Sequence, residues 1–276
     1  MDKVKIWLSN TCSYRDIYEH RLQQRYANSC TWFLDSDEYC RWRNAPFELP
    51  TTNNSAELER TWQDRMLFVQ AKAGFGKSYI SGAVIDDLVA ESDNLHVDAE
   101  HEPPTVAYFH FNAAHSYCVH PNDAFRALTH QLIHNHRHDR STLDAISLIM
   151  HKTSPDARAS SDDVRTLLSL LLHQHPTYIV IDGLDECSDI QLFLTSLPEV
   201  SRRSDTKTIL FTRPGTEIPQ QYQRWASDAP YVWNLDDASN SRDIDDYLCG
   251  TLHRMADQGF FGINMDRSSI QPVSGT

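Results

Sequence analysis

The stretch Leu67-Phe68-Val69-Gln70-Ala71-Lys72-Ala73-Gly74-Phe75-Gly76-Lys77-Ser78 decides how the chain is read. A short apolar run ends in a glycine-bearing turn, and Lys77 and Ser78 open an apolar-periodic segment, Tyr79 to Val89. The pattern predicts strand, phosphate loop, helix. In the loop form G-x-x-x-x-G-K-[ST], successive backbone N–H groups point inward and the following helix offers its positive end. The lysine reaches the outer phosphates, and the Ser hydroxyl is placed to ligate magnesium. Ala71 stands where that pattern has its first glycine, and Gly74 is an extra one. If Ala71 must take a positive φ it is strained; as the last strand residue it is harmless, and the second reading is adopted.

Composition sets the frame. With 276 residues, the chain can hold one large α/β domain or two small ones. Hydrophobic residues at 40% and charged residues at 23% are an ordinary globular balance. A net charge of −13 argues against nucleic acid or an anionic membrane surface as the main partner, but not against a single nucleotide. The six cysteines are scattered without a C-x-x-C pair, which suggests reduced intracellular thiols. No apolar run is long enough to span a bilayer and the start lacks an apolar signal core, so the expected compartment is the cytoplasm.

Upstream of the loop, residues 12–28 have the spacing of an amphipathic helix. Asp35 or Ser36 can cap a short helix carrying Tyr39 and Trp42 on one face. Core packing is the simpler account of this aromatic cluster, and base stacking the alternative. Residues 44–60 are loop-like, and 91–104 form an acidic surface loop. Thr105 to Phe111 is a strand, and Pro121 opens a helix. Along that helix His130 and His134 are four apart, with His136 and His138 following. Gln131 occupies the Glu place of H-E-x-x-H, so the polar face of a solvated helix end is preferred to a metal site. Leu143 to Met150 predicts a further helix, and Ser161-Asp162-Asp163 caps another that Pro176 ends.

The second informative stretch is Thr177-Tyr178-Ile179-Val180-Ile181-Asp182-Gly183-Leu184-Asp185-Glu186-Cys187. Its apolar run suits a central parallel strand. A carboxylate at the tip of such a strand is costly to bury alone and makes sense beside a metal ion. Asp189 is read as the cap of the helix 190–200. Lys207 to Pro214 is a strand ending in Thr-Arg-Pro, which could place Arg213 beside the phosphate strand. Residues 231–235 predict a last strand. Ser239 or Asn240 caps a helix with Ile244, Tyr247 and Leu248 on one face, and the tail from Arg267 carries no packing signal.

Taken together, these motifs resemble the NACHT-type NTPase domain of STAND signalling proteins, in the fungal group with a nephrocystin-like N-terminal module. The likeness rests on Cys30-Thr31-Trp32-Phe33-Leu34 with Tyr39 and Trp42, the loop 71–78, Asp182-Gly183-Leu184-Asp185-Glu186, Thr212-Arg213-Pro214, and Ser241 to Leu248. The resemblance implies a three-layer α/β P-loop NTPase sandwich around a mostly parallel sheet. A short helical N-terminal segment and linker (1–60) precede the NTPase domain (61–258), and a disordered tail (259–276) follows. It implies that Ala71, Lys72, Ala73, Gly74, Phe75, Gly76, Lys77, Ser78 and Tyr79 bind ATP or ADP, with GTP the other candidate. Ser78 and Asp182 would hold Mg²⁺. Asp185 or Glu186 would orient water, and Arg213 would sense the γ-phosphate. The implied role is a signalling switch with protein partners or self-association. Alternatives are an interaction module with a vestigial site, and a P-loop kinase, for which Arg202, Arg203 and Arg224 supply no lid pattern. The chain stops about twenty residues past the last shared motif, so a truncated protein with weak or no hydrolysis is expected.

Overall fold

The computed structural model describes residues 2–8, 14–26, 29–47, 65–95, 102–151, 158–217, 232–236 and 238–258. The expected linker from 48 to 60 and the tail from 259 lie outside them. The first segments are helical: α1 (Asp2–Leu8), α2 (Tyr14–Gln24), α3 (Thr31–Leu34) and α4 (Asp37–Asn44). Then come β1 (Met66–Gln70), α5 (Lys77–Leu95), β2 (Thr105–His110), α6 (Pro121–Asn135), α7 (Arg140–Met150) and α8 (Ser161–Gln174). The chain continues through β3 (Thr177–Asp182), α9 (Ile190–Ser201), β4 (Thr206–Thr212), β5 (Val232–Asn234) and α10 (Ser241–Asp257).

The five strands among the described residues are all parallel, in the order β2-β3-β4-β1-β5. Alternation along each strand feeds two separate cores. Met66, Phe68, Ile179, Ile181 and Leu210 face one side, where Leu128, Leu132, Leu168, Leu171 and Phe193 cover them. Leu67, Val69, Tyr178, Val180, Ile209 and Phe211 face the other, against Phe33, Tyr39, Trp42, Val84 and Leu88. Helices on both faces of a parallel sheet make a three-layer α/β sandwich. Each fully buried apolar side chain contributes about 1.5–3 kcal/mol. The segment before the loop therefore belongs to the core: Trp7 and Leu8 pack on one face, Phe33, Tyr39 and Trp42 on the other.

Several local readings are corrected. The helix after the loop runs to Leu95, past the expected loop start at 91, because no glycine or proline intervenes before Pro103. Ser160 caps α8 in place of Ser161; its hydroxyl accepts from the Asp163 amide and the Asp163 carboxylate accepts from the Ser160 amide. His130 does not sit on a solvated face. Its Nδ1 lies 3.0 Å from the Tyr14 hydroxyl, and burial lowers its pKa. His136, half-buried, stacks on His175.

At the sheet end opposite the loop, Lys207 ties α4 to β4. Its side chain is 2% exposed, and Nζ donates to the Arg43 carbonyl at 2.7 Å and stands 4.1 Å from the centre of the Phe47 ring. Burial pushes its pKa down to about 8. Between that value and the unfolded ~10.4, the unfolded chain binds a proton the native chain lacks, so this group's contribution to stability rises with pH. Urea unfolding from pH 8 to ~9.5, below ordinary tyrosine ionisation, checks this. The stability gap between wild type and Lys207→Met is expected to shift in favour of wild type as pH rises; a gap that stays constant would contradict the assignment.

Among the described residues, no helix is long and apolar enough to cross a membrane. Among the described residues Cys30, Cys40, Cys118, Cys187 and Cys249 are in no disulfide, and burial raises the pKa of Cys30 and Cys187 to about 11.

Candidate functional site

The carboxyl ends of β1, β3 and β4 meet at one edge, with β4 between the other two. Parallel sheets bind ligands at such an edge, where successive turns diverge. The turn after β1 is built by two glycines at positive φ, Gly74 at 77° and Gly76 at 101°. Ala71 is not among the positive-φ residues; it is fully buried, and its amide continues the ladder to the Thr212 carbonyl at 3.2 Å. Ala71 thus directly follows the last residue of β1, needs no positive φ and carries no left-handed strain.

Lys77 is the first residue of α5 and turns back over the loop. Its Nζ donates to the carbonyls of Ala71 at 2.7 Å and Lys72 at 2.9 Å. Burial lowers its pKa, opposed mainly by the Asp185 carboxylate. The Ser78 hydroxyl donates to Asp182 Oδ2 at 2.7 Å, and Asp182 is 2% exposed at the end of β3. Asp185 lies in the short 3-10 turn after β3 and pairs with Arg213 Nε at 2.8 Å. Glu186 Oε2 accepts from the Ala113 amide at 2.8 Å.

A cleft of about 270 Å³ brings together Ala73, Gly74, Gly76, Lys77, Ser78, Tyr79, Asp182, Asp185, Glu186 and Arg213. Nearly every expected site residue is therefore in one place. Ala71 and Phe75 are buried and do not line it, and Lys72 is exposed on the loop.

Four residues make contacts at or beside the site that the motifs do not assign to them. His110 ends β2 opposite Asp182 in register, with Nδ1 at 3.5 Å from Asp182 Oδ2. Phe111 lines the cleft, and its amide donates to the Asp182 carbonyl at 2.9 Å. Only the β2–β3 register brings these two to the site. Asn240 occupies the N-cap of α10 as expected, but its side chain does not cap; the amide donates to the Phe75 carbonyl at 2.8 Å. Asp243 Oδ2 accepts from the Cys30 amide at 2.7 Å and from the Trp32 indole at 3.1 Å. Helix α10 thus links the loop to the N-terminal segment, and Cys30 takes a left-handed conformation, φ 69°, at that joint.

A second cleft of about 490 Å³ shares Gly74, Gly76 and Tyr79 with the first. Trp32, Phe75, Ile80, Tyr247 and Leu248 supply its apolar walls. The upstream aromatic cluster is accordingly divided: Phe33, Tyr39 and Trp42 are core, while Trp32 faces this cleft. On α10, Ile244, Tyr247, Leu248 and Leu252 form an apolar stripe that remains exposed.

No curated protein matches the sequence. Among solved structures, the chain is similar to the Aeropyrum pernix ORC1 protein in complex with DNA, at 16% identity and a TM-score of 0.40, over 78% of this chain and 52% of that one. It is also similar to C. elegans PCH-2, at 13% identity and a TM-score of 0.35, over 74% of this chain and 46% of that one. The chain spans about half the length of both. A family profile described as "Nephrocystin 3, N-terminal" matches residues 28–213, which takes in the aromatic segment, the loop, β3 with its acidic turn, and Arg213. That match covers well over half of the sequence, and the chain belongs to the nephrocystin-3 N-terminal family.

Proposed function

We propose that this protein binds a nucleoside di- or triphosphate with Mg²⁺ at the carboxyl edge of its sheet and works as a NACHT-type signalling switch. One observation carries the reading: the glycine loop with Lys77, the Ser78–Asp182 pair and the Arg213–Asp185 pair converge on a single cleft. The Ser78 hydroxyl and Asp182 carboxylate are hard oxygen donors 2.7 Å apart, a set that fits Mg²⁺. When bound, that ion supplies neutralisation of phosphate charge.

In this reading Lys77 exchanges two neutral carbonyl partners for the β- and γ-phosphate oxygens, and the loop amides around Gly74 and Gly76 wrap the chain of phosphates. The wider cleft takes base and ribose, with Trp32, Tyr79 and Tyr247 as stacking surfaces. Arg213 exchanges Asp185 for the γ-phosphate, which leaves the Asp185 or Glu186 carboxylate to orient water. The same exchange makes the site sensitive to di- versus triphosphate. The Asn240–Phe75 and Asp243–Cys30/Trp32 bonds supply a physical path from the loop to α10 and the N-terminal segment. The exposed stripe on α10 supports protein partners or self-association as the readout.

Thermal unfolding with ligand tests the proposal. A ligand that binds only the folded chain stabilises it by ~2.7 kcal/mol at 100 times its Kd. ATP or ADP with Mg²⁺ is expected to raise the Tm of the wild type and leave Lys77→Ala unmoved. Equal shifts in both, or none in either, would leave an interaction module with a vestigial site as the better account.

A further inference from the structure

At the far end of the sheet, three chemically matched side chains meet outside the nucleotide cleft. Glu102 lies just before β2, His136 directly follows α6, and His175 occupies the turn between α8 and β3. His175 Nδ1 is 3.1 Å from Glu102 Oε1 and 3.2 Å from Oε2, and His136 Nδ1 is 3.3 Å from Oε1. One ligand atom from each residue lies within 4.8 Å of the others. Tetrahedral zinc, with bonds of ~2.0–2.1 Å, separates neighbouring ligand atoms by ~3.3 Å. The two histidine-to-glutamate edges already have that length.

The outer nitrogens are also provided for. His136 Nε2 is 2.7 Å from the Thr105 hydroxyl, and His175 Nε2 is 2.9 Å from the Thr142 hydroxyl and 3.7 Å from Asp139 Oδ2. Hydroxyl or carboxylate partners on the far nitrogen are the usual outer shell of a metal-bound imidazole. If each Nε2–H donates outward, both Nδ1 lone pairs and the Glu102 carboxylate face one another, an electron-rich arrangement that a cation relieves. The opposite tautomers, with both Nδ1–H groups donating to Glu102, satisfy the same atoms without an ion.

We propose that Glu102, His136 and His175 form a divalent transition-metal site, with zinc the best match, that fastens the entries of β2 and β3 to the end of α6. Nitrogen and carboxylate ligands select zinc-like ions over magnesium. Among the described residues three protein ligands converge, which leaves a fourth position for water on the side of Glu102, whose side chain is 47% exposed. The imidazoles stack with centres 3.6 Å apart and planes 9° from parallel. An ion shared by both nitrogens lies outside those planes, so binding turns the rings apart about their Cβ–Cγ bonds.

The test uses the full chain, stripped with chelator and held in excess Mg²⁺ to occupy oxygen-only sites, then titrated with Co²⁺ and Zn²⁺. One equivalent is expected to bind, with the visible bands of a low-coordinate nitrogen and oxygen site and no thiolate charge-transfer band. Glu102→Gln, at an exposed position, is expected to fold and to lose more affinity than the ~10–100-fold caused by removing an outer partner. His136→Gln is expected to do the same, while Lys77→Ala binds as wild type, which separates this site from the nucleotide reading. No stoichiometric binding in wild type, a thiolate band, or unchanged affinity in Glu102→Gln would overturn the proposal in favour of two neutral imidazoles sharing a carboxylate.

Discussion

Lys77→Ala is expected to weaken nucleotide binding by on the order of 100-fold, about 3 kcal/mol, through the loss of charge-assisted hydrogen bonds to phosphate. The estimate follows from placement. The Lys77 ammonium is already half-buried, and its partners are two neutral loop carbonyls. Much of its desolvation cost is therefore incurred by folding, and phosphate gains most of the charge interaction. Stability should fall by about 1–2 kcal/mol, because the Ala71 carbonyl, on a fully buried residue, loses its Lys77 donor, while the Lys72 carbonyl sits on an exposed residue that water can reach. Arginine is a poor substitute: its planar fork is wider than the ammonium that fits between the two carbonyls. Equilibrium binding together with urea unfolding of wild type, Lys77→Ala and Lys77→Arg separates the binding effect from a folding effect.

Gly183→Ala is expected to be the most damaging small substitution at the site. Gly183 follows Asp182 with φ 70°, and an added Cβ would stand 2.7 Å from the Phe111 carbonyl oxygen. Left-handed backbone costs a non-glycine residue roughly 1–2 kcal/mol, and a clash with backbone adds to it, for a total of about 2–4 kcal/mol. The obstacle is a main-chain atom at the end of β2, held there by the bond from the Phe111 amide to the Asp182 carbonyl. Relief must move β2 away from β3 where the Asp182 carboxylate is positioned. Urea unfolding should show the loss of stability, and the Mg²⁺-dependent part of nucleotide binding should fall with it. Gly74→Ala is the control. Gly74 also has positive φ, at 77°, but its added Cβ meets nothing within 4 Å, so only the backbone cost of roughly 1–2 kcal/mol applies.

Much of this site was legible because two of its parts are local in sequence. The loop from Ala71 to Ser78 is a contiguous pattern, and Asp182 announces itself as a charge at the tip of an apolar run. Arg213 is legible as the end of another strand and Asp185 as part of the acidic turn, but their pairing is not, since it depends on β4 lying next to β3. The strand order itself, with β4 inserted between β1 and β3, leaves no mark in periodicity: every strand is apolar, and each crossover is long enough for several orders. His110 illustrates the same limit. As a residue in a strand it looks like any partly polar position, and only register places it against Asp182.

Side chains that serve two candidate uses were harder still. Asn240 has the residue type of a cap and stands at the cap position, yet its amide is used on the loop carbonyl of Phe75. Ile244, Tyr247 and Leu248 have helical spacing that normally signals a buried face, but on α10 they stay exposed beside the second cleft. For the histidines from His130 to His138, the sequence shows only their spacing along one helix. The structure instead joins His136 to residues 34 and 39 positions away, Glu102 and His175, through elements that sequence spacing cannot bring together.

The most direct measurement is an equilibrium titration of the intact wild-type chain with a fluorescent ATP analogue, in Mg²⁺ and in chelator. The account predicts saturable binding of one nucleotide per chain, tighter with Mg²⁺ through Ser78 and Asp182, and lost in Lys77→Ala. Binding that fails to saturate, or that is indifferent to both the metal and Lys77, would contradict it.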